Sequence, residues 1–180
     1  MVSFSLKELA QSHDVHIHWR SYELRPAGSP PIPPEYLARI EATRPRLHAM
    51  AREQHGIEMN EGPFGQNSRP ALIGAKYAEA QGKGAEYHQA VFDAYWLHAR
   101  AIESADDLAT IATAVGLDEQ AFRAALNDAD LEIQVDADIE MARAYGLNGV
   151  PAIVFENRYL LSGAQPVATM RQVCDRLAEG

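Results

Sequence analysis

Apolar and polar positions along the chain fall into three regimes. In the first, Leu6, Leu9 and Ala10 share one helical face, so the chain opens in a helix. Val15-His16-Ile17-His18-Trp19 then alternates at period two, which predicts a strand with Val15, Ile17 and Trp19 turned inward. The proline-laden stretch from Leu24 to Pro34 breaks the pattern. Proline fixes φ and removes a backbone donor, so neither a helix nor a central strand is expected there.

The second regime is helical. Tyr36 to Gly56 predicts a helix that bends or restarts at Pro45. Asn67 or Ser68 caps the next one, with Pro70 in its first turn and Gly82 at its end. Glu86 to Arg100 carries a wide apolar stripe of Val91, Phe92, Tyr95, Trp96 and Ala99. Ser104 with Asp107 resembles a capping box for a helix that ends at Gly116, and Asp118 opens a short helix through Leu126. Leu131, Val135, Ile139, Ala142 and Tyr145 mark a further helix, closed by Gly146. In the third regime, Ala152–Phe155 and Tyr159–Leu161 flank Glu156-Asn157-Arg158 and predict an antiparallel hairpin. Pro166 then leads into a last helix over Val167–Ala178. One early strand and two late ones, split by an all-helical block, indicate a small α/β sheet with a helical insertion.

Composition narrows the function classes. A chain of 180 residues fits one domain, or one domain with a large insertion. Sixteen Lys+Arg against 25 Asp+Glu give a net charge of -9, which argues against nucleic acid as a partner. No apolar stretch approaches a bilayer span, so no membrane partner is expected. The single cysteine, Cys174, excludes an intrachain disulfide and a multi-thiolate zinc site. Residues 1–20 lack a basic segment followed by an apolar run, so a soluble cytoplasmic location is expected.

Few residues could carry chemistry. Gly149-Val150-Pro151-Ala152 puts a proline at the mouth of a strand, where it cannot donate to the ladder. A cis Val150–Pro151 bond would turn the Val150 N–H and C=O outward, toward an extended peptide or thiol ligand. A trans bond would make an ordinary edge strand. Cys174 lies in the stripe Met170, Val173, Cys174, Leu177, which reads as core, with a lone redox-sensitive thiol near Arg171 as the alternative. His13, His16 and His18 are close enough in sequence for metal binding, but a solvated strand face accounts for them more simply. Tyr87, Tyr95 and Trp96 read as core aromatics.

Tyr145 through Phe155, then Tyr159, then Ser162-Gly163-Ala164-Gln165-Pro166, resemble the C-terminal thioredoxin half of the DsbA-like oxidoreductases, and most of all the FrnE branch. His18 through Pro26, Gly65-Gln66-Asn67-Ser68 and Phe92-Asp93-Ala94-Tyr95-Trp96 extend the resemblance over nearly the whole chain. It implies an α/β thioredoxin-like fold, discontinuous over residues 1–34 and 131–180, with residues 35–130 as an all-helical insertion. It also implies a cis bond at Pro151 and thiol–disulfide oxidoreductase or isomerase chemistry on a protein or small-thiol substrate, with no metal or organic cofactor. Val150 and Pro151 would hold the substrate backbone, and Trp19 and Tyr22 would line the neighbouring face.

The departure from the pattern is large. The family places a first strand and a Cys-x-x-Cys motif ahead of the helix that holds Leu6, and the chain has neither. With Met1–Phe4 entering that helix uncapped, an N-terminally shortened chain is expected over a degenerate family member. Catalytic residues are therefore expected to be none, because the redox pair is absent. Without the first strand, Val15–Trp19 or Ala152–Phe155 would present an unpaired edge, and the chain is expected either to be marginally stable or to close the gap by pairing with a second copy. Two other readings stay open. One is a glutathione-dependent enzyme of the kappa-transferase or hydroxychromene-carboxylate isomerase type, which uses a serine in place of the cysteine. The other is a non-catalytic peptide-binding or chaperone module.

Overall fold

A computed structural model describes residues 2–179. Among them the order is α1 (Val2–Ser12), α2 (Pro34–His55), α3 (Arg69–Ala80), α4 (Gly84–Trp96), α5 (Ala105–Ala114), α6 (Glu119–Ala125), α7 (Ala129–Ala144), β1 (Ala152–Phe155), β2 (Tyr159–Ser162) and α8 (Val167–Ala178). The chain divides into two units, Met1–Trp19 with Ala142–Gly180, and Arg20–Met141.

The first unit packs two helices and a hairpin. β1 and β2 pair antiparallel, with Ile153 opposite Leu161 and Phe155 opposite Tyr159. Arg158 N–H donates to the Phe155 carbonyl, and Glu156 and Asn157 both take positive φ. That is the hairpin turn whose twist matches the strands. Alternation sends Ile153, Phe155 and Leu161 to one face, where they meet Leu6 and Leu9 of α1 and Met170 of α8. Polar contacts join the two helices outside this core. Arg171 donates to Glu8 at 2.9 Å and to Ser12 at 3.2 Å, and His13 Nε2 lies 3.2 Å from an Asp175 oxygen.

The second unit is helical. Its caps explain its boundaries. Asn67 Oδ1 accepts from Arg69 N–H, Ser104 Oγ from Asp107 N–H and Asp118 Oδ1 from Ala121 N–H. Each satisfies a donor that the first turn of a helix leaves open. Gly56 closes α2 at φ 67°: its N–H donates to the Arg52 carbonyl, and Ile57 N–H donates to the Ala51 carbonyl. The core centres on Tyr87, Phe122 and Leu108, with the alanines Ala71, Ala78, Ala109 and Ala112 among them. The ring centroids of Tyr87 and Phe122 lie 5.5 Å apart, and those of Tyr77 and Phe122 lie 5.9 Å apart edge-on. A smaller cluster of Ile73, Ala125, Leu131 and Val135 joins α3, α6 and α7.

This unit buries an ion pair. Lys76 of α3 and Asp138 of α7 are 6% and 4% exposed and meet at 2.7 Å. Asp138 also accepts from Ser21 N–H at 2.8 Å and from Arg20 at 3.2 Å. Burial by itself would raise the Asp138 carboxyl; the bonds from Lys76 and Ser21 outweigh it and hold the group below its ordinary range.

Two expectations need correction. Val15–Trp19 forms no strand, and the sheet among the described residues holds β1 and β2 alone. The alternation survives in part, since Val15 and Trp19 pack on the Leu6–Leu9–Met170 core while Ile17 is exposed. A ladder also requires a neighbouring strand at hydrogen-bonding distance, and alternation does not supply one. The second correction concerns α4, which ends at Trp96, not Arg100. Its last carbonyls are taken from outside the helix, Tyr95 O by Gly62 N–H and Trp96 O by Asn60 N–H. Its buried line is Tyr87, Val91 and Ala94, and Phe92 and Trp96 stand 41% and 36% exposed.

Packing around Tyr87 gives a paired prediction. A Cβ at Gly74 would lie 2.6 Å from Tyr87 Oη and 2.7 Å from Phe122 Cζ. The Tyr87 hydroxyl is buried with no hydrogen-bond partner among the described residues. Gly74→Ala is expected to destabilise by about 1–3 kcal/mol through overpacking. Tyr87→Phe is expected to be neutral or stabilising, because it deletes a hydroxyl whose unpaired burial costs about 1–3 kcal/mol. In the double variant the Gly74→Ala cost should shrink, since one of the two clashing groups is gone. Urea unfolding of the three variants measures this, and a strongly destabilised Tyr87→Phe would contradict it.

Candidate functional site

The site begins where α7 stops. Gly146 takes φ 69°, its N–H donates to the Arg143 carbonyl, and Leu147 N–H donates to the Ala142 carbonyl. These bonds close the helix and send the chain outward. Residues 147–151 then run into β1 through a cis Val150–Pro151 peptide bond. On the far side of the hairpin, Gly163 N–H donates to the Pro151 carbonyl at 2.8 Å, at φ 78°. Gln165 Nε2 secures the same corner by donating to the Ser162 carbonyl at 2.7 Å. At the hairpin tip, the Tyr145 hydroxyl donates to Asn157 Oδ1 at 2.6 Å.

These segments enclose an open cleft of about 230 Å³. Its walls include Asn148, Gly149, Val150, Pro151, Leu160 and Ser162. Val150 is 55% exposed and Leu160 43% exposed, so the cleft offers apolar side chains beside glycine-rich backbone. None of its lining residues is Cys, His, Lys, Arg, Asp or Glu. Such a surface can recognise an extended main chain and an apolar side chain. Among the described residues that line it, none carries an acidic or basic side chain, and Ser162 supplies the one hydroxyl.

The other residues singled out from the sequence sit as follows. Trp19 packs on the core of the first unit. Tyr22 is half-buried in the second unit. Leu160, Ser162 and Gly163 line the cleft and were not candidates in the sequence; the Ser-Gly-Ala-Gln-Pro loop after β2 is the signal that could have found them. Cys174 is half-buried on α8 against the Leu6–Leu9–Met170 core and is not part of the cleft. His16 and His18 are exposed, and among the described residues no three His, Cys, Asp or Glu side chains could hold a metal ion.

Burial first, and Asp175 second, push the Cys174 thiol above its ordinary value. The thiolate is the reactive form, so alkylation of Cys174 is expected to be slower than that of a free cysteine at the same pH. Timed iodoacetamide labelling near neutral pH measures this; labelling as fast as for a low-pKa catalytic thiol would contradict it.

Comparison with known proteins places these features. A family model described as a DSBA-like thioredoxin domain matches residues 1–175. An uncharacterized Bacillus subtilis protein, YwbO, is 30% identical over 130 residues, covering 68% of this chain and 62% of its own. The thiol:disulfide interchange protein DsbA of Azotobacter vinelandii is 31% identical over 122 residues, 61% of this chain and 56% of its own. The chain thus spans about three fifths of the length of the curated relatives it matches. Among solved structures, a probable DsbA oxidoreductase from Streptomyces coelicolor superposes with a TM-score of 0.82 at 22% identity, covering 97% of this chain and 82% of that one. A 2-hydroxychromene-2-carboxylate isomerase superposes at 0.80 and 23%, covering 98% and 88%. At such identities the likeness carries the fold. No described helix is long and apolar enough to cross a membrane.

Proposed function

Because the chain belongs to the DSBA-like thioredoxin domain family, we propose that it is a FrnE-like member whose cleft at Val150–Pro151 holds the backbone of a protein or small-thiol substrate for disulfide chemistry. The observation that carries this reading is the composition of the cleft, which joins Gly149-Val150-Pro151 to Leu160 and Ser162 without a titratable side chain. Backbone groups there serve an extended ligand in the way a sheet edge does. Trp19, in the unit that holds the cleft, is proposed as a further substrate contact. The proposed organisation is a discontinuous thioredoxin-like domain, residues 1–34 and 131–180, with residues 35–130 inserted. A second copy of the chain is the proposed protein partner, and a cytoplasmic location is consistent with a single cysteine.

The chain itself supplies no redox pair. Exchange needs a thiolate to attack one sulfur and a second thiol to release the mixed disulfide, and the sequence holds Cys174 alone. The chain is therefore expected to bind such substrates and not to turn them over. An insulin-reduction assay with dithiothreitol as electron source tests this. The expected rate is the uncatalysed one for both the wild type and Cys174→Ser; catalysis lost in Cys174→Ser would overturn the reading.

A glutathione-dependent isomerase or kappa-type transferase is the second reading. It is favoured by the superposition on the isomerase over 98% of this chain. Calorimetric titration with glutathione and with a cysteine-bearing peptide separates the two. Binding of glutathione alone would select the second.

A further inference from the structure

The two sides of the cleft are held differently. On one side, among the described residues, Asn148, Gly149 and Val150 make no backbone hydrogen bond. That side is fastened at its ends, by Leu147 N–H on the Ala142 carbonyl and by the Pro151 carbonyl on Gly163 N–H. On the other side one peptide unit is gripped at both of its polar atoms. Its amide, Gly163 N–H, donates to the Pro151 carbonyl at 2.8 Å. Its carbonyl, that of Ser162, accepts from Gln165 Nε2 at 2.7 Å. Hydrogen bonds at opposite ends of one planar group fix its orientation.

The local sequence explains why a side chain takes this part. Gly163, at φ 78°, turns the chain out of β2. In a hydrogen-bonded four-residue turn the last N–H would return to the first carbonyl, but Gln165 N–H does not bond Ser162. Pro166 follows; it drives the residue before it toward extended backbone, and its own ring nitrogen carries no hydrogen. The Gln165 side-chain amide supplies the donor that the backbone lacks. Gln165 is half-buried, and Pro166 behind it caps α8, whose Met170 is fully buried against Leu6 and Leu9. The grip therefore rests on the core of its unit. Across the hairpin, the Pro151 ring cannot return the hydrogen bond that its carbonyl receives. Among the described residues the Gly163 carbonyl, on the cleft wall, is left without a backbone partner.

We propose that Gln165 is the positioning residue of this cleft. By holding the Ser162–Gly163 peptide, it fixes the wall on which the Gly163 carbonyl accepts an N–H from the extended main chain of a ligand. The Asn148–Val150 side, without bonds of its own, then adapts to a ligand whose register the opposite wall has set. This rests on the substrate-holding reading of the cleft and adds to it a residue that acts through Ser162 and Gly163.

Gln165→Met keeps the length of the side chain and removes the donor; Gln165→Glu turns a carboxylate on the Ser162 carbonyl. Amide-shift titration with the extended cysteine-bearing peptide should show binding weakened ~2–10-fold in Gln165→Met, the range of one hydrogen bond, and further in Gln165→Glu. A protonated carboxyl donates again, so Gln165→Glu should approach wild type as pH falls from 7 toward the ordinary glutamate value of about 4.3, and Gln165→Met should not. Amide hydrogen exchange provides an arm that needs no ligand: Gly163 N–H should exchange faster in both variants, with Ile153 and Leu161 unchanged. Unaltered Gly163 exchange, or faster exchange with unaltered peptide affinity, would overturn the proposal. So would faster exchange throughout β1 and β2, which marks a structural role alone. A wild-type chain that binds no peptide would contradict the substrate-holding reading, and with it the role of Gln165 toward a ligand, even where the Gly163 arm shows the expected change.

Discussion

Asp138→Ala is expected to destabilise the protein by about 3–5 kcal/mol, the cost of leaving one partner of a buried ion pair uncompensated. Lys76 would keep a single carboxylate, the half-exposed Glu79 at 3.3 Å, and Ser21 N–H would lose its acceptor. The companion Lys76→Met should cost less, because Asp138 retains the Ser21 N–H and Arg20. Replacing both, as Lys76→Met/Asp138→Leu, removes both desolvation penalties and should recover most of the loss. The pH dependence follows from the lowered Asp138 carboxyl. A carboxyl held low in the folded state contributes stability above its unfolded value, about 3.9, and loses it as pH falls through the folded one. Acid unfolding below about pH 4 should therefore flatten in the double variant. Denaturant midpoints at several pH values measure this; an Asp138→Ala midpoint within error of the wild type would refute the role given to the pair.

Phe122→Ala is expected to cost about as much, roughly 3–5 kcal/mol, by opening a cavity in the helical core. Phe122 is fully buried, and its ring meets both Tyr77 and Tyr87. Small neighbours such as Ala71, Ala78, Ala109 and Ala112 have no side chain long enough to swing in and fill the space. A fall in melting temperature of about 2–4 °C for each kcal/mol is the readout. Phe122→Leu should cost distinctly less, and in the Gly74→Ala background it should relieve part of the clash at Cζ. Equal losses for the alanine and leucine variants would contradict the cavity as the cause.

How far these features could be read in the sequence depends on how local they are. Ser104, Asp118, Gly56 and Gly146 act within one turn of their helix ends, so those boundaries were legible. The hairpin was legible too, since two short apolar runs flank a polar turn. α4 was misplaced at its end because Asn60 and Gly62 bond its last carbonyls, from more than 30 residues upstream, and no pattern inside α4 announces it. Val15–Trp19 shows the same limit from the other side, a strand-like alternation with no ladder. Nothing in the sequence marks Lys76 as buried, because its partner is 62 positions away, which local periodicity cannot show.

The cleft was legible through family resemblance and not through periodicity. Gly149-Val150-Pro151 and Ser162-Gly163 are 13 residues apart along a hairpin, and the Gly163–Pro151 hydrogen bond brings them together. Cys174 was read correctly as a core position, where α1 and α8 meet.

The central claim is that this chain presents a substrate-holding cleft without the thiols that act on what it holds. Amide chemical-shift mapping of the labelled chain, titrated with an extended cysteine-bearing peptide, tests it most directly. The expected result is saturable change centred on Gly149, Val150, Ser162 and Gly163, with the peptide recovered in its original redox state. No change at the cleft, or change centred instead around Cys174 with the peptide oxidised or reduced, would contradict it.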